Sequence, residues 1–483
     1  MIVLALLLAM AMPSGARATS PAPLPSAAVP PARNEMLDVQ RHKLPNGLEV
    51  WIKQRRDTQA VEVRAVAKVG FRYEQPLDSG LSHLLEHMLF KGTERQSESE
   101  LKWAVERRGG SRNGITTTGA TYYYVNIRDV HLPFAVEWLE DIVFHSRLTD
   151  DHLRQARQDV YSEQGGKYPR FIERVFLTGF FQPPELRAAA LAFPHAEIPE
   201  RVIANLEHVT AERARAHFTA HYAPENMAII IVGNVDPVEA LAEVTRRFGS
   251  KPPGRKGPTS YIPYKEPRVT DEVRTRFYPP VGNMTDVRYG IWTRGRLDPD
   301  RHALRLICRH LDRRLKEEIR YKRALAYSVG CAAYDELDAG ALFGYAEGER
   351  GAEDEVKGLM GSVTREVIDR DLTAEELTDA REAVLGTRVR YFENNSRLAD
   401  FYQDLYLTIP FGQPLPDDMA ALQAVTTSDI RRVAKARLRP GALMFVVARP
   451  PLTYVGTAVL SVLVLLLIAA LIALRVRRRK KKV

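Results

Sequence analysis

Two histidines and a glutamate lie close together in the segment His83-Leu84-Leu85-Glu86-His87. Helical residues four positions apart lie on one face about one turn apart, so His83 and His87 can present two imidazole nitrogens to a single Zn²⁺. Glu86 can then reach a metal-bound water without binding the metal. Two ligands, a general base and an open coordination position are the minimum for metal-assisted hydrolysis. Paired histidines also occur on solvated helix faces, so features elsewhere in the chain must show whether this pair binds a metal.

Length and composition are those of a folded protein. The chain has 483 residues, enough for two or more domains, with 45% hydrophobic and 27% charged residues. Its formal net charge of +9 falls to +2 without the C-terminal cations Arg475, Arg477, Arg478, Arg479, Lys480, Lys481 and Lys482. Because the body is nearly neutral, we expect no nucleic-acid partner.

The N-terminus has the pattern of a secretory signal. A short apolar run over residues 2–12 is followed by Pro13 and by Ala16-Arg17-Ala18, an A-x-A cleavage site. This pattern predicts a signal peptide at 1–18 and a Pro/Ala-rich linker at 19–37.

The C-terminus has the pattern of a membrane anchor. Residues 454–474 are apolar and would be roughly 31 Å long as a helix, which matches a bilayer core. The basic tail at 475–483 follows at once, and the positive-inside rule places that tail in the cytoplasm. We therefore expect a single-pass protein whose body is extracytoplasmic, or periplasmic if the source is bacterial. The alternative is a buried core helix.

The body divides into two similar α+β halves. The Gly/Pro/Lys-rich stretch at 249–268 separates residues 38–248 from residues 269–449. The segment 438–444 (LRPGALM) echoes the segment 223–229 (APENMAI), so an internal repeat is the simplest account. Cys308 and Cys331 can form at most one disulfide, and the sequence leaves their pairing open.

Residues 83–93 (HLLEHMLFKGT) closely resemble the pitrilysin/insulinase family of zinc peptidases, the inverzincins, and especially the β subunit of the mitochondrial processing peptidase and bacterial relatives. The resemblance continues through three further segments and covers about residues 38–448. They are 109–123 with its Gly-Gly pair, 226–236 (NMAIIIVGNVD) and 318–329 (EIRYKRALAYSV).

The resemblance implies a fold of two mostly antiparallel sheets packed with helices, the second domain being of the inactive type. It implies one zinc ion per chain, with Glu163, 76 positions after His87, as the third ligand. Arg320 and Tyr327 would complete the site by binding a substrate carbonyl and the tetrahedral intermediate. Asn113 would lie at a strand to which unfolded peptides add.

The resemblance leaves activity and assembly to be tested. Ala156 replaces an acidic residue that is frequent in the family, and Gly114 replaces the usual alanine. The favoured reading is an active zinc metalloendopeptidase that cleaves unfolded peptides, and the alternative is a catalytically silent peptide-binding or assembly subunit. We expect a homodimer, or a heterodimer with a related chain, whose active site takes Arg320 and Tyr327 from the partner.

Overall fold

The computed structural model describes residues 35–74, 78–163, 205–254, 273–275, 281–439 and 441–480. The predicted signal peptide, most of the linker at 19–37 and residues 255–268 of the interdomain linker lie outside them, as do the last three residues of the basic tail. The described residues from Met36 onward belong to one structural unit.

The first sheet has six strands in the order β1-β2-β6-β3-β5-β4, with β2 and β6 parallel and the other pairs antiparallel. Every residue of the central strand β6 is buried. A strand that is buried on both faces has a continuous run of apolar residues, here MAIIIVG, rather than alternating apolar and polar residues. The strands are β1 (Gln40–Lys43), β2 (Glu49–Gln54), β3 (Ala60–Ala67), β4 (Ser111–Thr116), β5 (Thr121–Arg128) and β6 (Met227–Gly233).

The second sheet has five strands in the order β7-β11-β8-β10-β9, with β7 and β11 parallel and the other pairs antiparallel. Its strands are β7 (Val273–Thr275), β8 (Met284–Thr293), β9 (Ala326–Asp335), β10 (Gly340–Glu349) and β11 (Met444–Ala448). The predicted pair of α+β domains is therefore confirmed. Each sheet contains one parallel pair, so both are mixed although antiparallel pairs predominate.

The described residues also form α-helices in both halves of the chain. The first-domain helices are α1 (Leu81–Leu89), α2 (Glu98–Glu106), α3 (Leu132–Phe144), α4 (Asp150–Glu163), α5 (Ala211–His221) and α6 (Pro237–Phe248). The later helices are α7 (Arg301–Leu315), α8 (Glu353–Asp369), α9 (Ala374–Tyr391), α10 (Asn395–Thr408), α11 (Asp418–Ala424), α12 (Thr427–Arg437) and α13 (Tyr454–Lys480).

One helix of the second half covers the first sheet. Leu398 and Tyr402 of α10 are buried in a cluster with Trp51 and Ile230 of that sheet. The α10 carboxylate Asp400 and the β3 residue Arg64 form an ion pair of 2.9 Å. The two halves of the chain therefore share a core, which the linker composition alone did not indicate.

Two features bear on the compartment of the protein. Tyr454–Arg475, within α13, is long and apolar enough to cross a membrane, and its side chains are not buried against the rest of the described chain. Cys308 on α7 and Cys331 on β9 form a disulfide with a Cα–Cα distance of 5.4 Å. The pairing that the sequence left open is thereby decided.

Candidate metal centre

Helix α1 carries the two histidines because one of its faces is anchored in the core. Leu81, Leu84, Leu85 and Met88 are fully buried. The helix follows Gly80, whose positive φ of 90° favours glycine. The Glu74 carboxylate accepts hydrogen bonds from the backbone N–H groups of Gly80 at 2.8 Å and Ser82 at 2.7 Å. These bonds satisfy donors at the helix start and fix the register of the motif.

The structure brings His83, His87 and Glu163 together. The two Nε2 atoms are 3.1 Å apart, and Glu163 Oε2 lies 3.2 Å from His83 Nε2 and 3.4 Å from His87 Nε2. Glu163 is the last residue of α4, which packs alongside α1. Among the described residues, these three form the one group of histidine, cysteine and acidic side chains with metal-site spacing.

This triangle fits a zinc ion. Tetrahedral ligands held at zinc–nitrogen and zinc–oxygen distances are about 3.3–3.4 Å from one another, close to the three separations observed here. The donor set of two imidazoles and one carboxylate is that of a catalytic site with one open position. Burial, followed by repulsion from His83, lowers the pKa of His87, which favours the neutral imidazole that binds metals.

Glu86 lies beside the triangle and is held by the edge strand β4. It is only 6% exposed, and Thr116 Oγ1 donates a 2.7 Å hydrogen bond to its Oε2 atom. A Cβ atom added at Gly114 would lie 2.7 Å from Glu86 Oε1. The glycine that departs from the family pattern therefore lets the glutamate pack directly against the strand.

A second acidic residue lies next to His87. Asp159 is one turn before Glu163 on α4, and its Oδ2 atom is 3.9 Å from His87 Nδ1 and 2.7 Å from Lys91 Nζ. The family resemblance places an acidic residue at position 156 instead, where this chain has Ala156, which is fully buried in the core. The spacing of four residues before Glu163 was the signal that could have found Asp159, since it puts both carboxylates on one helix face.

These groups line an open cavity of about 360 Å³. Its lining residues come from α1 and the turn after it, from α2, β4 and α4: His83, Glu86, His87, Phe90, Lys91, Glu98, Arg112, Asn113, Gly114, Ile115, Thr116, Asp159 and Glu163. The candidate ligands, the candidate base and the edge strand β4 therefore line the same open cavity.

The family follows from this fold and site together with the sequence matches. Residues 49–168 match the insulinase family model, peptidase family M16, and residues 208–384 match the peptidase M16 inactive domain. An uncharacterised zinc protease of Mycobacterium leprae is 30% identical over 366 residues, which are 74% of this chain and 80% of that protein. The chain belongs to the M16 (insulinase) family of peptidases. The predicted family is thus confirmed.

A more distant relative and a solved structure are also similar to this chain. A probable β subunit of the mitochondrial processing peptidase from Arabidopsis thaliana is 24% identical over 415 residues, 81% of this chain and 74% of that protein. The crystal structure of a protease from Helicobacter pylori has a TM-score of 0.73 at 21% identity and covers 85% of this chain and 99% of that one. The fold shared with this protease thus covers 85% of the chain.

Of the remaining predicted site residues, one lies at the cavity and two lie away from it. Asn113 lies on β4 and lines the cavity. Arg320 and Tyr327 do not line it. They lie in the second half, where the Arg320 guanidinium is 4.2 Å from the Tyr327 ring centroid and the tyrosine is 78% exposed. Within one chain, the structure pairs these two residues with each other rather than with the metal centre.

Proposed function

We propose that this M16 protein is a zinc-dependent metalloendopeptidase that hydrolyses peptide bonds of unfolded peptides or small proteins. The observation that carries the proposal is the triangle of His83, His87 and Glu163 at 3.1–3.4 Å, with the buried Glu86 beside it and an open cavity in front. A closed structural site would need a fourth protein ligand, and the described residues supply three.

The residues divide the chemistry between them. A zinc ion bound by the triangle would supply Lewis-acid polarisation of the scissile carbonyl and of the attacking water. Glu86 takes the proton from that water and passes it to the leaving amine. Thr116 holds the Glu86 carboxylate in place for this proton transfer by donating a hydrogen bond to its Oε2 atom.

Substrate binding follows from the position of β4. This strand is at the edge of the first sheet, and β5 pairs with one side of it. An extended peptide can add to the other side through main-chain hydrogen bonds, which are largely indifferent to side chains. Asn113, which lies on this strand and lines the cavity, is the proposed polar contact to such a peptide.

The exposed pair Arg320 and Tyr327 supports an active site completed by a second chain. An electrophilic role in a partner's site would require Tyr327 to be exposed, and it is 78% exposed. We therefore propose a homodimer, or a heterodimer with a related chain, in which these two residues face the partner's metal centre.

The compartment is proposed from two observations. The apolar segment Tyr454–Arg475 precedes a basic tail, which favours a single-pass anchor with a cytoplasmic C-terminus. The Cys308–Cys331 disulfide is typical of a body outside the cytoplasm, because thiols in the cytoplasm are kept reduced.

The direct test uses the full-length protein in detergent and an unstructured peptide. Zinc-loaded wild type is expected to cleave the peptide, and both a chelator and Glu86→Gln are expected to abolish cleavage. Glu239→Gln, at an exposed glutamate of α6, is the matched control and should cleave like wild type. Equal lack of cleavage by wild type and Glu86→Gln at full zinc occupancy would show a silent subunit instead.

Assembly is tested by mixing two inactive chains. Glu86→Gln retains Tyr327, and Tyr327→Phe retains Glu86, so subunit exchange should restore part of the activity if the site is shared. Refolding the two chains together ensures that mixed dimers form. If the refolded mixture stays inactive, the shared site is wrong, while the proposed peptidase activity is unaffected.

A further inference from the structure

The edge strand β4 directs alternate side chains toward the metal centre. Gly114 and Thr116 contact Glu86, so they lie on the face of the strand that looks at α1. Side chains two positions apart on a strand share a face, which places Arg112 on this same face. Arg112 therefore points into the cavity one side-chain repeat beyond the general base.

The Arg112 side chain is held against a rigid aromatic wall. Its guanidinium carbon lies 5.3 Å from the centroid of the Phe90 ring. That ring contacts Tyr123 and Trp138 at centroid distances of 5.7 and 6.2 Å, and both of these residues are buried. The guanidinium is thus positioned by packing rather than by an ion pair.

Among the described residues, Arg112 makes neither a hydrogen bond nor an ion pair with its side chain, and its Nε atom is buried without a partner. The other cation of the cavity differs, because Lys91 lies 2.9 Å from Glu98 and 2.7 Å from Asp159. Burial lowers the pKa of Arg112, against the opposing effect of Glu106 and Glu98. A buried donor without an acceptor is costly, and an incoming acceptor would remove that cost.

We propose that Arg112 is a specificity-determining residue that selects a substrate with an acidic side chain, Asp or Glu, close to the scissile bond. This proposal rests on the proposed peptidase function. A peptide added to β4 has the residue opposite Arg112 directing its side chain to the same face of the sheet, and thus into the cavity. A carboxylate there accepts two parallel hydrogen bonds from the guanidinium, which is the strongest pairing that an arginine makes.

The test is a positional scan of fluorogenic peptides on the full-length zinc-loaded protein. Each position around the cleaved bond carries Glu, Gln, Lys or Phe in turn, and kcat/KM is measured. At one position, wild type is expected to prefer Glu over Gln by about tenfold or more, as charge-assisted hydrogen bonds predict. Arg112→Gln should bring that ratio to about one, and Arg112→Glu should favour Lys at the same position. Arg107→Gln, an exposed arginine five residues earlier, should keep the wild-type ratio.

Several results would overturn the proposal. A Glu/Gln ratio near one in wild type, a preference for Phe at the position that Arg112 governs, or an unchanged ratio in Arg112→Gln would each do so. These results leave the proposed function intact, because Glu86→Gln still separates activity from its loss. If no peptide is cleaved, the proposed function fails, and binding of the Glu and Gln peptides to the Glu86→Gln chain replaces cleavage. Equal affinities for those two peptides would then reject the role of Arg112.

Discussion

Replacing Asp159 by asparagine is expected to weaken zinc binding about tenfold, or ~1.4 kcal/mol. Loss of an outer-shell partner typically costs 10–100-fold in metal affinity. Two distances place the expected loss of zinc affinity in Asp159→Asn at the lower end of this range. Its carboxylate is 3.9 Å from His87 Nδ1, too far for a direct hydrogen bond, and Lys91 Nζ, 2.7 Å away, neutralises part of its charge.

The assay is competition for zinc against a chelator of known affinity, with the full-length protein in detergent. Asp151→Asn is the matched control, because Asp151 lies on the same helix but pairs with the exposed Arg154 at 2.6 Å. Lys91→Met should change the zinc affinity in the opposite direction, since it removes a nearby positive charge and frees Asp159. If Asp159→Asn leaves the zinc Kd within about twofold of wild type, the proposed support of His87 by Asp159 is wrong.

Three further predictions concern catalysis and stability. Thr116→Val removes a hydrogen bond to the Glu86 carboxyl group and should lower kcat about tenfold with little change in KM, as measured by steady-state kinetics. Arg64→Met leaves its glutamate partner on β3 buried and without its cation, and should cost about 3 kcal/mol in unfolding free energy, as measured by denaturant titration. Replacing Cys308 and Cys331 by serine removes a cross-link across 23 residues and should cost about 3 kcal/mol without altering zinc affinity.

Each of these predictions has a control. Thr118→Val changes a neighbouring threonine outside the cavity lining and should keep kcat. Adding Glu62→Leu to Arg64→Met removes the stranded charge and should recover part of the lost stability; no recovery would contradict the electrostatic explanation. A reducing agent should destabilise wild type but not the serine variant, and equal effects on both would argue against a structural role for the disulfide. An unchanged kcat in Thr116→Val would show that Glu86 is positioned by other contacts.

The sequence predicted those parts of the site that depend on local spacing. A helix fixes the separation of His83 and His87, so the two candidate ligands could be predicted from their spacing of four residues. The family resemblance supplied Glu163, and the structure places it beside them. Asn113 was predicted from its motif, and the structure places it on the edge strand that lines the cavity.

Other parts of the site depend on contacts between distant segments. Thr116 meets Glu86 across 30 positions, and Asp159 meets Lys91 across 68. The sequence shows that these side chains are polar, but not which atom each one faces. The position of helix α10 also depends on such contacts. Its sequence pattern does not show which domain its apolar face packs against, and only the structure shows that it packs on the first sheet.

By itself, the sequence determined the helical histidine pair and the two α+β halves, because periodicity and short-range spacing are properties of the local chain. The family came from the resemblance of its motifs. The tertiary structure decided the rest. It brought Glu163 next to His83 and His87, paired Cys308 with Cys331 and, among the described residues, left the Arg112 Nε atom without a hydrogen-bond partner. The reason is physical: distances between segments far apart in the chain are set by how helices and strands pack, and no local pattern encodes them.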